Sequence, residues 1–201
     1  GDVISTDFSS FDKQLPFELI FAFCDIVSDC MDPVTFNGDR KAVYQAWARA
    51  LTYVLHSCSG TIYLVDRGNE SGTFVTTLLN SVSVQILTYY TIVRRWREIF
   101  RFSPSLSEVH SNVRLAILGD DRTVKVSLAL PVVADDFIED SELFCLKCTP
   151  AKTTSQIDFC SRAIVWDERN QIAWPQLKVS SVTSQLYWTT SFSDKQLIEN
   201  C

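Results

Sequence analysis

An α+β fold, with helices packed on one face of an antiparallel sheet, is the architecture this sequence predicts. Three observations carry the prediction. Short β-branched runs such as Val3-Ile4-Ser5-Thr6 alternate with longer segments whose apolar residues recur at three- and four-residue steps. Two β-type runs, Val113 to Leu118 and Thr123 to Leu128, flank the tight link Gly119-Asp120-Asp121-Arg122, which predicts a hairpin and hence antiparallel pairing. The 201 residues are 46% hydrophobic with only six Gly and six Pro, which excludes disordered, collagen-like and low-complexity chains. A chain of this length buries enough surface to hold a core without staples.

The elements follow in order. Val3 to Phe8 is a strand by its β-branched content. Pro16 opens a helix at its first position, where no backbone donor is lost. Phe17, Ile20, Phe21, Cys24 and Val27 form its apolar stripe. Asn37-Gly38-Asp39 breaks the chain, and a second helix places Val43, Trp47, Ala50, Leu51 and Val54 on one face. Thr61 to Val65 is a β-type run. The longest helix runs from about Thr73 to Trp96, with Phe74, Leu78, Val82, Ile86, Tyr89 and Val93 as its stripe. Phe102 to Ser111 is a polar loop. After the hairpin, Pro131 to Cys148 is a further helix, and Gln156 to Phe159 with Ala163 to Trp166 makes a second hairpin. Val182 to Trp188 fits neither pattern.

Seven Cys is an odd count, and no secretion signal precedes them, so reduced thiols in an intracellular protein are expected. Cys145-Leu-Lys-Cys148 has metal-ligand spacing, but no second pair or His cluster completes a zinc site. No apolar run approaches the ~20 residues of a membrane span. The chain starts at Gly1 on what is already a core strand, so it is expected to be cut from a longer one.

The acidic residues divide by position. Most fall on helices or loops, where water explains them. Asp7 ends an apolar strand, and Asp120 and Asp121 sit at the tip of an apolar hairpin. Carboxylates brought together beside a core repel unless a cation neutralises them, and hard oxygen ligands favour Mg²⁺ or Mn²⁺. If the hairpin pairs beside the first strand, Asp7 and Asp120 converge on one or two ions, as two-metal phosphoryl transfer requires. Asp12 follows Asp7 by five residues. Ser71 and Gly72 open the longest helix, where free backbone donors and the dipole suit phosphate. Thr76 and Asn80 share a face of that helix.

These elements, in this order, resemble the palm of viral RNA-dependent RNA polymerases of the picorna-like positive-strand group. Asp7-Phe8-Ser9-Ser10-Phe11-Asp12 resembles motif A, and Ser71-Gly72 with Thr76 and Asn80 resembles motif B. Leu118-Gly119-Asp120-Asp121 resembles motif C, with Leu118 where an aromatic is common. Thr149-Pro150-Ala151-Lys152 resembles the end of motif D, and Phe159-Cys160-Ser161-Arg162 resembles motif E. The resemblance implies a polymerase palm with a ferredoxin-like or RRM-like core over residues 1–175, part of the fingers inserted between motifs A and B, and the start of a thumb over 176–201.

It also implies roles. Asp7 and Asp120 hold the metal ions, Mg²⁺ or Mn²⁺, with Asp121 a weaker ligand. Asp12 and Asn80, supported by Thr76, sense the ribose 2′-hydroxyl, which distinguishes RNA from DNA. Ser71 and Gly72 bind the nucleotide. Lys152 protonates pyrophosphate as a general acid, with Lys147 as its rival. Phe159, Cys160, Ser161 and Arg162 grip the primer. The implied partners are template and nascent RNA, ribonucleoside triphosphates and other viral replication proteins. The implied location is the host cytoplasm, at membrane-associated replication complexes. A reverse transcriptase is disfavoured by Asp12 and Asn80, since those enzymes typically block the 2′-hydroxyl with a bulky residue. A non-catalytic RNA- or protein-binding module would be favoured by loss of a motif Asp, and all are present.

The net charge of −6 runs against RNA binding. The metal site accounts for part of it, since bound ions offset its carboxylates. Basic fingers upstream would account for more. Arg94, Arg95, Arg97 and Arg101 form one basic cluster, read as a solvated face.

Overall fold

The computed structural model of the chain describes residues 3–32, 34, 39–53, 55–65, 67–69, 75–149, 152–154, 158–160 and 162–178. The chain divides into two compact units, residues 1–154 and 155–201. In the first, β1 (Val3–Thr6) leads into α1 (Phe11–Gln14), α2 (Phe17–Cys30) and α3 (Arg40–Thr52). A hairpin of β2 (Leu55–Cys58) and β3 (Thr61–Leu64) follows, then α4 (Thr76–Phe100) and α5 (Leu106–Asn112). The central hairpin, β4 (Val113–Leu118) and β5 (Asp121–Val126), precedes α6 (Ala134–Leu143) and β6 (Lys152–Thr154).

Four of these strands form one sheet in the order β4-β5-β1-β6, with every neighbouring pair antiparallel. The hairpin thus lies directly against the first strand. Alternation along the strands sends Ile4, Thr6 and Phe8 to one face, in phase with Arg122, Val124 and Val126. Helices cover that face. Ile4, Val124 and Val126 are buried with Ile92 and Trp96 of α4 and Phe137 of α6. Phe8 and Phe11 are buried with Leu19, Ile20 and Phe23 of α2 and Leu79, Val84 and Leu87 of α4. Helix α4 spans both clusters and is the spine of the unit.

Several elements differ from the sequence expectation, each for a physical reason. Pro16 is the residue before α2, not its first turn, and the buried face is Leu19, Ile20, Phe23 and Cys24 while Phe21 stays 39% exposed. Burial pushes the Cys24 thiol up to about 11. On α3 the buried positions are Ala48, Leu51 and Thr52, and Ala50 faces out. On α4 the buried face is Leu79, Asn80, Ser83, Val84, Leu87, Thr88, Thr91 and Ile92, one step from the predicted stripe, and Leu78 is 55% exposed. Its polar members disguise it. Thr88 donates to the Val84 carbonyl at 2.6 Å and Thr91 to the Leu87 carbonyl at 3.2 Å, so their hydroxyls are satisfied within the helix.

The expected polar loop at 102–111 contains α5. The Ser105 hydroxyl accepts from the Glu108 amide at 3.2 Å while the Glu108 carboxylate accepts from the Ser105 amide at 2.7 Å, a reciprocal cap. Ser105→Ala is expected to lower unfolding stability by about 1 kcal/mol in a urea titration; an unchanged midpoint would deny the cap a role. The helix expected over 131–148 is shorter. It ends at Leu143, and Cys145 takes a left-handed φ of 58°. The chain then runs back along β1's extension, where the Ser9 amide donates to the Lys147 carbonyl and the Thr149 amide to the Asp7 carbonyl. Finally, Asp121 and Arg122 belong to β5 rather than to the turn. The turn is Gly119-Asp120 alone, with φ +63° at Gly119 and no positive φ at Asp120, as a type II′ turn demands.

The second unit holds a three-stranded antiparallel sheet of β7 (Asp158–Phe159), β8 (Arg162–Asp167) and β9 (Ile172–Leu177). The second hairpin is present with a third strand added. β9 contains Pro175, and it lies at an edge of the sheet, where a missing donor is tolerated. Gln156, Ile157 and the segment 182–188 lie outside the described residues. Cys24, Cys30, Cys145, Cys148 and Cys160 are unbridged. Among the described residues no helix is long and apolar enough to cross a membrane.

Candidate active site

The register of the central sheet assembles the acids. Thr6 pairs with Arg122, and Leu118 pairs with Asp121 across the two-residue turn. One step beyond Thr6, Asp7 therefore stands level with Asp121, on the face opposite the helices, and Asp120 sits on the adjoining turn. The Asp7 carboxylate accepts from the Phe8 amide at 2.8 Å. Burial above all, then repulsion from Asp7, Asp121 and Asp12, holds the Asp120 carboxyl above the usual carboxylate range. Four acids thus act on one small volume. Among the described residues no three His, Cys, Asp or Glu side chains are grouped tightly enough to cage a metal unaided. Mg²⁺ is commonly held by one or two carboxylates together with substrate phosphates.

Beneath this site lies Arg122, a residue that sequence alone places in the turn. Arg122 is 2% exposed, and its guanidinium lies 5.3 Å from the Phe8 ring centroid and 4.7 Å from that of Phe137. Its Nε donates to Thr6 Oγ1 at 2.8 Å and one terminal nitrogen to Thr88 Oγ1 at 3.3 Å. One side chain therefore ties β5 to β1 and α4 while contacting α6. Burial pulls its pKa down to about 10. The signal in the sequence is its phase: Arg122 alternates with Val124 and Val126, which face the core.

The second constellation is polar. Asn80, 4% exposed on α4, donates its amide to the Asp12 carboxylate at 2.5 Å. Asn69, 7% exposed, donates its own side-chain amide to Asn80 Oδ1 at 3.4 Å, and its backbone amide donates to the Asp12 carbonyl at 2.5 Å. Asp12 and Asn80, to which the resemblance gives a shared role at the sugar, are hydrogen-bonded to each other, and Asn69 is a member that the sequence does not announce. Gly68 carries this loop against α1. Its φ is +98°, its amide donates to the Leu15 carbonyl at 2.8 Å, and an added Cβ would stand 2.8 Å from the Asp12 carbonyl oxygen.

The two constellations are linked. Ser81, next to Asn80, accepts at its hydroxyl from the Gly119 amide at 2.8 Å. Thr76 begins α4, on the face expected. Ser71 and Gly72 lie outside the described residues. Lys152 opens β6, where its backbone pairs with Ser5, two residues before Asp7. Lys147 lies on the exposed return segment, its amide donating to Gln14 Oε1 at 3.1 Å. In the second unit, Phe159 ends β7, Cys160 has a left-handed φ of 51°, Arg162 opens exposed β8, and Ser161 lies outside the described residues.

The basic cluster is not a free face throughout. Arg94 pairs with Asp140 at 2.8 Å and Glu98 at 2.7 Å, and Arg95 with Asp136 at 3.1 Å and Glu98 at 2.6 Å. The pairs with Asp140 and Asp136 tie α4 to α6, while those with Glu98 lie within α4. Asp140 and then Glu98 hold the Arg94 guanidinium above its ordinary value against the burial that opposes them.

The sequence profile of the family described as viral RNA-dependent RNA polymerase matches residues 1–201. The RNA1 polyprotein of Andean potato mottle virus is 24% identical over 209 residues, covering 95% of this chain and 27% of the polyprotein. The RNA1 polyprotein of grapevine chrome mosaic virus is 27% identical over 217 residues, covering 97% of this chain and 9% of the polyprotein. The chain is therefore similar to a small part of each. The solved Sicinivirus 3Dpol RNA-dependent RNA polymerase shares the fold at a TM-score of 0.69 and 18% identity, over 98% of this chain and 41% of that one.

Proposed function

The chain belongs to the viral RNA-dependent RNA polymerase family, and on that premise we propose that it is the palm of an enzyme adding ribonucleotides to an RNA 3′ end on an RNA template. The observation that carries the proposal is the strand register that sets Asp7 level with Asp121 beside Asp120, whose carboxyl pKa is raised by burial first and by these neighbouring acids second.

Asp7 and Asp120 would hold the divalent cations, with Asp121 beside them. Bound Mg²⁺ supplies activation of the attacking 3′-hydroxyl and charge stabilisation at the α-phosphate. Asp12 and Asn80 meet the incoming sugar, the carboxylate accepting from its 2′-hydroxyl and the amide donating to it. A partly buried polar pair rejects a sugar lacking that hydroxyl because its own groups are then left unpaired. Ser71 and Gly72 line the triphosphate, Lys152 donates a proton to departing pyrophosphate, and Phe159 to Arg162 steady the primer. Template and nascent RNA, nucleotides and other viral replication proteins at host membranes complete the proposal. Support for these last roles is the motif resemblance.

The test is RNA-templated primer extension by the full-length polymerase that contains this chain. Removing divalent cations with a chelator should stop incorporation, and Mg²⁺ should restore it. Synthesis that persists without divalent metal would sink the proposal.

A further inference from the structure

Asn69 stands apart from the residues so far given a role in the chemistry, and it controls one of them. A primary amide has two ends, an acceptor oxygen and a donor nitrogen, and its usefulness depends on which end faces where. Asn80 has a single arrangement here. Its Oδ1 receives the Asn69 amide at 3.4 Å, and its Nδ2 is thereby turned to the Asp12 carboxylate at 2.5 Å. The three side chains form a directional chain that ends on a negative charge, in surroundings where Asn69 and Asn80 are both buried. Asn69 is itself fixed from behind. Its backbone amide donates to the Asp12 carbonyl, and the Gly68 amide before it donates to the Leu15 carbonyl. These bonds hold the Asn69 backbone against the segment Asp12 to Leu15.

The orientation matters for a hydroxyl ligand. A hydroxyl both donates and accepts. With Nδ2 facing Asp12, the pair offers it one donor and one acceptor side by side. With the amide reversed, two oxygens would face each other, Asn80 Oδ1 would be repelled by the carboxylate, and the hydroxyl could satisfy only one half of its capacity. We propose that Asn69 is a positioning residue for sugar selection: by holding the Asn80 amide in one orientation, it sets preference for a ribose over a deoxyribose. The inference rests on the polymerase reading.

The experiment compares ribonucleotide and deoxyribonucleotide incorporation, as kcat/KM, by the full-length polymerase carrying Asn69→Asp or Asn69→Leu. Asp can only accept in its ionised form, so it draws the Asn80 nitrogen towards itself; Leu removes the donor at similar volume. In both variants the ribose-over-deoxyribose ratio is expected to fall about tenfold, the scale of one misplaced hydrogen bond, mainly through slower ribonucleotide use. In an Asn80→Ala background the Asn69→Leu change should move the ratio no further, because the two act through one contact. An unchanged ratio in both single variants overturns the inference, as does an equal loss with both sugars, the mark of a purely structural role. Should Asn69→Asp not fold, the ratio measured with Asn69→Leu decides alone. A wild-type enzyme that incorporates no nucleotide at all overturns the polymerase reading itself, which is a separate outcome.

Discussion

Asp120→Asn in the full-length polymerase is expected to lower ribonucleotide incorporation by about 10³-fold, the scale on which removing a group that stabilises transition-state charge is felt. Under the proposed function the carboxylate is one of two that would hold the cation, and the amide that replaces it brings no negative charge. The same substitution should stabilise the metal-free protein. Burial and the neighbouring acids raise the Asp120 pKa, so the folded chain binds that proton more tightly than the unfolded chain. The ionised carboxylate therefore opposes folding above the raised value, and this opposition fades as pH falls through it. Asn is neutral throughout. Calorimetry without divalent metal should show the variant melting above wild type at neutral pH, with the gap closing in acid. Mg²⁺ should narrow the neutral-pH gap by binding wild type more tightly. Incorporation at the wild-type rate would remove Asp120 from the role assigned to it.

Phe137→Ala is expected to destabilise the chain by about 4 kcal/mol, within the range for deleting a fully buried ring. Phe137 is 0% exposed and packs between β1, β5 and α4. It is also one of two rings against the Arg122 guanidinium. Removing it leaves a void beside a buried charge that no carboxylate in the described residues pairs with, so the site cannot simply collapse onto apolar neighbours. Denaturant titration measures the loss; a change below about 1 kcal/mol, the scale of an ordinary surface substitution, would show that the ring is not the support described. Against a typical stability of about 5–15 kcal/mol, the expected loss approaches unfolding at growth temperature.

Much of this site is legible in the sequence because its determinants are local. Alternation in Val3 to Phe8, the Gly at 119 and the phase of Val124 and Val126 mark the strand and the hairpin that carry Asp7, Asp120 and Asp121. Their convergence needs the hairpin to pair beside the first strand, a condition that pattern leaves open and the register meets. What escapes is decided by partners distant in sequence. Thr88 and Thr91 look solvent-facing by composition, yet they are buried because helix carbonyls receive their hydroxyls, and Ser83 is buried although its hydroxyl has no hydrogen-bond partner among the described residues. Arg122 looks like a turn residue because a charge is rarely placed in a core without an acid. Asn69 has no local mark at all, since its meaning depends on Asn80, 11 residues away, and on the backbone of Asp12. The cap of α5 is different: Ser105 and Glu108 carry the spacing of a reciprocal cap, a local signal that the polar composition of 102–111 obscures.

The hydroxyl of Ser81 binds the turn that carries Asp120, while the residue before it, Asn80, donates to Asp12. Under the proposed function, sugar discrimination and nucleotide attack would hang on consecutive links of one rigid rod. A substrate seated badly at Asn80 would tug the rod, and the tug would arrive where the phosphorus is attacked. Wrong sugars would then be penalised in turnover as well as in occupancy, so raising their concentration would not restore the speed of copying.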